Sequence, residues 1–422
     1  MKADLILHNI GTLLTLRGEN APRKGTQMSE AEVLKNAYLA VKDGKILCMG
    51  EGQVPKELLD DNTVVTDIEG KTVTPGLVDP HTHLVHGGSR ENEFSLKLQG
   101  VPYLEILKQG GGILSTVNAT KSATEDMLFE KAKKSLDTML LYGTTTVEAK
   151  SGYGLDWETE RKQMIVAKSL NEKHPVEVVS TFMGAHAVPK EYKEDSDKFV
   201  DILINEMIPK VEAENLAEFC DVFCEEGVFS VDQTRRILEA GKKHGLKPKM
   251  HADEIIPLGG AELAAEIGAI SADHLMAASE EGMDMMAKAG VIANILPGTT
   301  FSLMAGTYAK ARLMMEKGVA VSLSTDYNPG SCPSENMQFV MQLGCLALKM
   351  TPIEVFTAVT INSAYAIDRG DKVGSFNEGK EADIVVFEAP NLEYILYHFG
   401  INHVSKVYKS GKLVVDKNNV VY

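Results

Sequence analysis

The chain has 422 residues, 44% hydrophobic and 24% charged, with a formal net charge of −16. At about 150 residues per domain this is too long for one small domain, and an α/β barrel that takes up about 250 or more residues leaves two domains as the simplest division. The negative charge argues against a nucleic-acid partner, because a phosphate backbone demands a basic surface. No apolar run approaches the ~18 residues of a membrane span, and the N-terminal apolar stretch is broken by Asp4 with no small-residue cleavage site after it.

In chain order, the first 70 residues alternate β-prone runs (Leu5–Leu7, Tyr38–Val41, Ile46–Met49) with turn signals, and Asp43-Gly44 marks a hairpin. From about 70 to 380, apolar runs alternate with amphipathic helical stretches, the pattern of a parallel sheet. Eight candidate strands are Val73–Val78, Thr144–Ala149, Glu177–Met183, Phe219–Cys224, Lys247–Met250, Ala269–Ala272, Val291–Leu296 and Ala320–Leu323. Helices are expected over Met127–Leu141, Glu158–Glu172, Val231–His244, Glu281–Ala289 and Tyr308–Glu316. The chain ends as it began, with a strand over Ala382–Phe387 and a hairpin of Val404–Lys409 and Lys412–Val415 around Ser410-Gly411. The expected fold is therefore an α/β (β/α)₈ barrel over 71–380, with a small β-sandwich domain built from both termini, 1–70 plus 381–422.

Five cysteines stand at 48, 220, 224, 332 and 345 without a CxxC pair, which fits packed thiols in a reduced, cytoplasmic protein. Most candidate strands run into a polar cluster: His81-Thr82-His83, Lys150-Ser151-Gly152-Tyr153-Gly154, His186, Glu225-Glu226, His251-Ala252-Asp253-Glu254, Asp273-His274 and Asp326-Tyr327-Asn328-Pro329-Gly330. The carboxyl ends of barrel strands are where barrel enzymes place their chemistry. His81 and His83, two apart on an extended segment, point to one face and reach one ion. That pair alone is a weak signal. With His251 and Asp326 it becomes three imidazoles and a carboxylate, a set suited to zinc or a similar first-row ion with a position open to water.

The run Val73-Thr74-Pro75-Gly76-Leu77-Val78-Asp79-Pro80-His81-Thr82-His83 resembles the opening metal motif of the amidohydrolase superfamily. More narrowly, six segments are similar to those of the imidazolonepropionase family: Gly87–Glu91, Gln109–Thr116, Lys150–Gly154, Thr181–His186, His251–Glu254 and Asp326–Gly330. The resemblance covers almost the whole chain. It implies His81, His83, His251 and Asp326 as ligands of one metal ion, zinc or iron, and Glu254 and His274 as the catalytic pair, with Asp326 or Glu254 taking the proton of the activated water. It further implies substrate contacts from Arg90, Tyr153, His186, Glu254, Asn328, Gly330 and Ser331. The reaction implied is hydrolysis of the cyclic amide of 4-imidazolone-5-propanoate to N-formimidoyl-L-glutamate in histidine degradation, by a cytoplasmic homodimer without membrane or nucleic-acid partners. Arg90 suits the propionate arm, since a guanidinium offers a carboxylate two parallel bonds.

Relatives with two metals use a strand-four lysine to bridge them, but the fourth candidate strand here ends Cys224-Glu225-Glu226, so one ion per chain is expected. A deaminase of a purine or pyrimidine ring is the alternative reading of His251-x-x-Glu254, and an inactive barrel serving as a scaffold is a third. Arg90 counts against the former and the complete ligand set against the latter. The run Gly110–Gly112 lacks the Lys-Ser/Thr of a phosphate loop and is expected to cover the site instead. His8, His174, His244, His398 and His403 are expected to be packing or surface residues, with His86 supporting the site; Met283, Met285 and Met286 are expected to fill core.

Overall fold

The structure, a computed structural model, describes residues 1–101 and 111–422, so Gln109 and Gly110 of the glycine-rich segment lie outside the described residues. Eight parallel strands form one sheet in sequential order: β1 (Leu77–Asp79), β2 (Thr144–Lys150), β3 (Glu177–Ala185), β4 (Phe219–Cys224), β5 (Lys247–Ala252), β6 (Ser271–His274), β7 (Ile292–Ile295) and β8 (Val321–Leu323). Just beyond β1 and β8 the ring is joined by a parallel bridge between Thr82 and Tyr327, by Asp326 N–H to the His81 carbonyl (3.1 Å) and by Thr325 Oγ1 to Asp79 Oδ2 (2.5 Å).

Helices cover the outside. The helix Glu125–Leu141 is started by the Thr124 hydroxyl, which accepts from Met127 N–H, and it buries Leu128, Ala132, Leu136 and Met139 at helical spacing. The helix Val231–Lys243 opens with a reciprocal Ser230/Gln233 capping box and buries Ile237 and Leu238. The expected helix over Tyr308–Glu316 is confined to Ala311–Glu316. Met283 and Met286 are core, and Cys220 and Cys224 are packed thiols. Among the described residues no helix is long and apolar enough to cross a membrane.

The terminal strands form a separate nine-stranded sheet. Thr72–Pro75 lies in its centre, parallel to Leu5–Leu14 on one side and antiparallel to Ile384–Phe387 on the other. One shared core joins both ends of the chain, with Leu5, Leu7 and Leu39 packed with Ile384, Val386 and Tyr408. The expected single strand Val73–Val78 is in fact two, broken at Gly76 and belonging to different sheets. The break has a steric cause: a Cβ on Gly76 would stand 2.2 Å from Thr145 Oγ1 and 3.1 Å from Asp383 Cβ, so only glycine passes between the sheet and the barrel.

Alternation along the barrel strands sorts charge from grease. On β2, Val147 and Ala149 join the main hydrophobic core under the helices, whereas Glu148 and Lys150 are fully buried in ion pairs within the barrel. β4 does the same with Cys220 and Val222 outside and Asp221 inside, and β5 with Met250 outside and Lys249 and His251 inside.

Candidate active site

His81 and His83 follow β1, Glu254 follows β5, and Asp326 follows β8, while His251 is the fifth residue of β5 and His274 the last of β6. Their rings crowd together: His81 is 4.6 Å from His251 and 5.5 Å from His274 between centroids, and His83 is 5.4 Å from His81. Asp326 Oδ1 lies 3.4 Å from His81 Nε2 and 3.8 Å from His83 Nε2. Two trios have donor atoms all within 4.8 Å of one another, His81–His251–His274 and His81–His83–Asp326. They share His81, and together they hold the four expected ligands and His274.

Hydrogen bonding is consistent with an ion at this point. His81 Nδ1 is 2.5 Å from Asp273 Oδ2 and His251 Nδ1 is 3.1 Å from Asp221 Oδ1, while His81 Nε2 and His251 Nε2 are buried without a hydrogen-bond partner among the described residues. A histidine tied through one nitrogen to a carboxylate and left bare at the other is arranged as a metal ligand. Burial first, then neighbouring basic groups, hold His81, His83 and His251 well below the usual imidazole pKa, so each offers a neutral lone pair. Asp326 and His274 carry their side chains from left-handed backbone, at φ 55° and 74°, a strained conformation that clusters at functional sites.

A cavity of about 620 Å³ opens above these groups, lined among others by Arg90, Tyr153, His186, Glu254, Asn328 and Ser331. His186 stacks on His83 at 4.7 Å, and its Nδ1 is 3.1 Å from the Gly152 carbonyl. Glu254 stands 3.7 Å from His274 Nε2, and burial, with the Glu225 carboxylate adding, pushes its carboxyl up to about 7. Asn328 organises its own turn: its Oδ1 accepts from Gly330 and Ser331 N–H, and its Nδ2 donates to Ser331 Oγ. Arg90 is not idle. Its Nε and Nη2 grip Glu93 at 2.9–3.1 Å, leaving Nη1 packed on Gly330, where a Cβ would come within 2.1 Å. Lys97, which the sequence reading passed over, lines the same cavity and donates to the Gly330 carbonyl at 2.9 Å.

Sequence reasoning named Lys150 and Asp273 only as members of polar clusters, and missed the buried charged layer that they form below the histidines with Glu148, Asp221 and Lys249. The available signal was polar residues at every second position of strands expected to be buried on both faces. For Lys150, burial alone would lower the pKa, but Asp221, Glu148 and Asp273 together raise it above the ordinary lysine value. His86 supports the site, with Nδ1 2.9 Å from the His83 carbonyl. The odd segment His398–His403 is a local knot in which His403 Nε2 meets the His398 carbonyl at 2.7 Å and Gly400 N–H donates to Gln342 Oε1.

The profile of the amidohydrolase family matches residues 72–414. The chain is 62% identical over 422 residues, 100% of both chains, to the imidazolonepropionase of Alkaliphilus metalliredigens, and 56% identical over 421 residues, again 100% of both, to that of Streptococcus sanguinis. The chain belongs to the imidazolonepropionase family of amidohydrolases. Solved structures share the fold at low identity: a zinc-bound adenosine deaminase from Xanthomonas campestris (TM-score 0.73, 17% identity, covering 100% of this chain and 94% of that one) and an E. coli guanine deaminase (TM-score 0.71, 17% identity, 97% and 99%). In this family member, one metal site of histidines and aspartate lies at the carboxyl end of the barrel, beneath a pocket sized for a small molecule.

Proposed function

We infer that the chain opens 4-imidazolone-5-propanoate by hydrolysis of its cyclic amide, releasing N-formimidoyl-L-glutamate. The observation that carries the reading is the pair of trios His81–His83–Asp326 and His81–His251–His274, sharing His81 beneath a cavity that Arg90 lines, in a chain matched end to end by imidazolonepropionases. We assign His81, His83, His251 and Asp326 as ligands of one zinc-type ion. When bound, the ion supplies Lewis acidity, lowering the pKa of a water to about 7 and polarising the ring carbonyl.

The rest falls to side chains. Glu254, with its carboxyl near 7, takes the proton of the attacking water and passes it to the ring nitrogen as the C–N bond breaks. His274, within reach of Glu254, donates to the oxyanion that develops on the former carbonyl. Arg90 and Tyr153 receive the propionate, His186 flanks the ring, and the Asn328–Ser331 turn closes the opposite wall. The fold shared with deaminases at 17% identity supports no ring-amine chemistry here, since a neutral base gives Arg90 nothing to hold. The odd, unpaired cysteines support a cytoplasmic location, and a homodimer is the assembly that sedimentation of the purified protein tests.

The deciding experiment mixes metal-loaded protein with freshly generated imidazolone propionate and follows the substrate's ultraviolet band. The band should decay with wild type and persist with chelator-stripped protein or with His251→Ala. Persistence with fully loaded wild type sinks the assignment.

A further inference from the structure

The charged layer below the ligands has a geometry of its own. Lys150 Nζ lies 2.6 Å from Asp221 Oδ2, 3.0 Å from Glu148 Oε2 and 3.6 Å from Asp273 Oδ2. Asp221 holds His251 through its other oxygen, and Asp273 holds His81 through the same Oδ2 that faces Lys150. One ammonium group therefore links two histidine-orienting carboxylates, in the order His251, Asp221, Lys150, Asp273, His81. All five side chains are buried, on β5, β4, β2 and β6 and in the segment after β1.

We propose that Lys150 is a positioning residue for the metal site, drawing Asp221 and Asp273 to one point and so fixing the orientation of two imidazoles from different strands. This rests on the ligand assignment above. Lys249 provides an internal comparison. It is as deeply buried, but among the described residues its only carboxylate partner within ion-pair distance is Glu148, at 2.8 Å, and its other bonds go to the carbonyls of Pro80 and Ala366. It is bonded to neither carboxylate that carries a histidine. Charge compensation is common to both lysines; the link to the histidines belongs to Lys150 alone.

The test measures zinc affinity by chelator competition on stripped full-length protein: wild type, K150M, K249M, the double variant K150M/E148Q, and His251→Ala as reference. The double variant restores the net charge of the layer yet leaves Asp221 and Asp273 without their ammonium. K150M/E148Q should bind zinc about tenfold to a hundredfold more weakly, the range for lost outer contacts to metal ligands, with K249M within about threefold of wild type. Cobalt(II) loaded in place of zinc should show altered visible bands in K150M/E148Q and unchanged ones in K249M, a change of coordination that a merely structural role would not produce. Wild-type affinity in K150M/E148Q overturns the proposal, as do equal losses in the Lys150 and Lys249 variants. If neither Lys150 variant folds while K249M does, Lys150 is a folding requirement and the proposal is again overturned. Unchanged zinc binding by His251→Ala would instead strike the ligand assignment.

Discussion

At the scale of single residues, the site separates groups by what burial does to them. As the proposed base, Glu254 must be ionised to accept a proton, and its carboxyl stands near 7, so the competent fraction rises with pH through about 7 and is lost below it. The kcat/KM profile of the wild type should show an acid limb near that value. Glu254→Gln should lower kcat by about 10²–10⁴-fold and abolish the limb, with metal content unchanged. An unshifted limb in the variant would assign the proton to another group. Arg90 yields a second expectation, sharpened by Glu93. Arg90→Ala removes a charge-assisted bond of about 1.5–3 kcal/mol and should cut kcat/KM by roughly tenfold to several hundredfold, while Arg90→Lys recovers only part. Glu93 also accepts from Gly112 N–H at 2.8 Å, so Glu93→Ala frees the guanidinium and the Gly112 N–H together and should raise KM more than it lowers kcat. Near-normal efficiency in Arg90→Ala would place the carboxylate clamp elsewhere.

At the scale of elements, the crossing at Gly76 joins the terminal sheet to the barrel within a single residue. Gly76→Ala puts a methyl against Thr145 and Asp383 and should destabilise the protein by about 1–3 kcal/mol in denaturant titrations, through overpacking. Wild-type stability would mean that the sheet and barrel slide apart freely. The division into 1–70 plus 381–422 and 71–380 is tested by truncation: deleting 381–422 removes Ile384–Phe387 from beside Thr72–Pro75 and should leave aggregating edges. A soluble, active truncation would contradict it. The break at Gly76 was not legible in sequence, because Val73–Val78 reads as one apolar run and nothing local says that its halves join different sheets. Strands β2 to β8 and their helices were legible, since apolar runs ended in polar clusters at regular intervals. The strand boundaries moved by up to two residues, mainly where β5 and β6 ran on to include His251 and His274, and the helix expected from Tyr308 begins three residues later at Ala311.

At the scale of the whole molecule, one site implies one ion. Elemental analysis of protein purified without chelators should find close to one metal per chain, and two tightly held ions would overturn the argument from the missing strand-four lysine. The histidine–aspartate cluster was legible because His81-x-His83, His251 near the end of β5 and Asp326 just beyond β8 present donors at the expected end of a barrel. The carboxylates behind them were not, because Asp221 meets His251 across the paired strands β4 and β5, and Asp273 on β6 meets His81 across the barrel interior. Lys97 was missed for a similar reason: a lysine on a polar helix reads as solvated until the Gly330 turn, contributed from beyond β8, is folded against it.

The seam that closes the barrel joins residues 246 positions apart, Asp79 and Thr325, and its flanks are the two segments bearing His81, His83 and Asp326. Completing the ring is thus what brings the Asp326 carboxylate to His81 and His83. In a newly synthesised chain the trio His81, His251 and His274 is already encoded before the last barrel strand, and only the anionic donor, Asp326, waits for that strand.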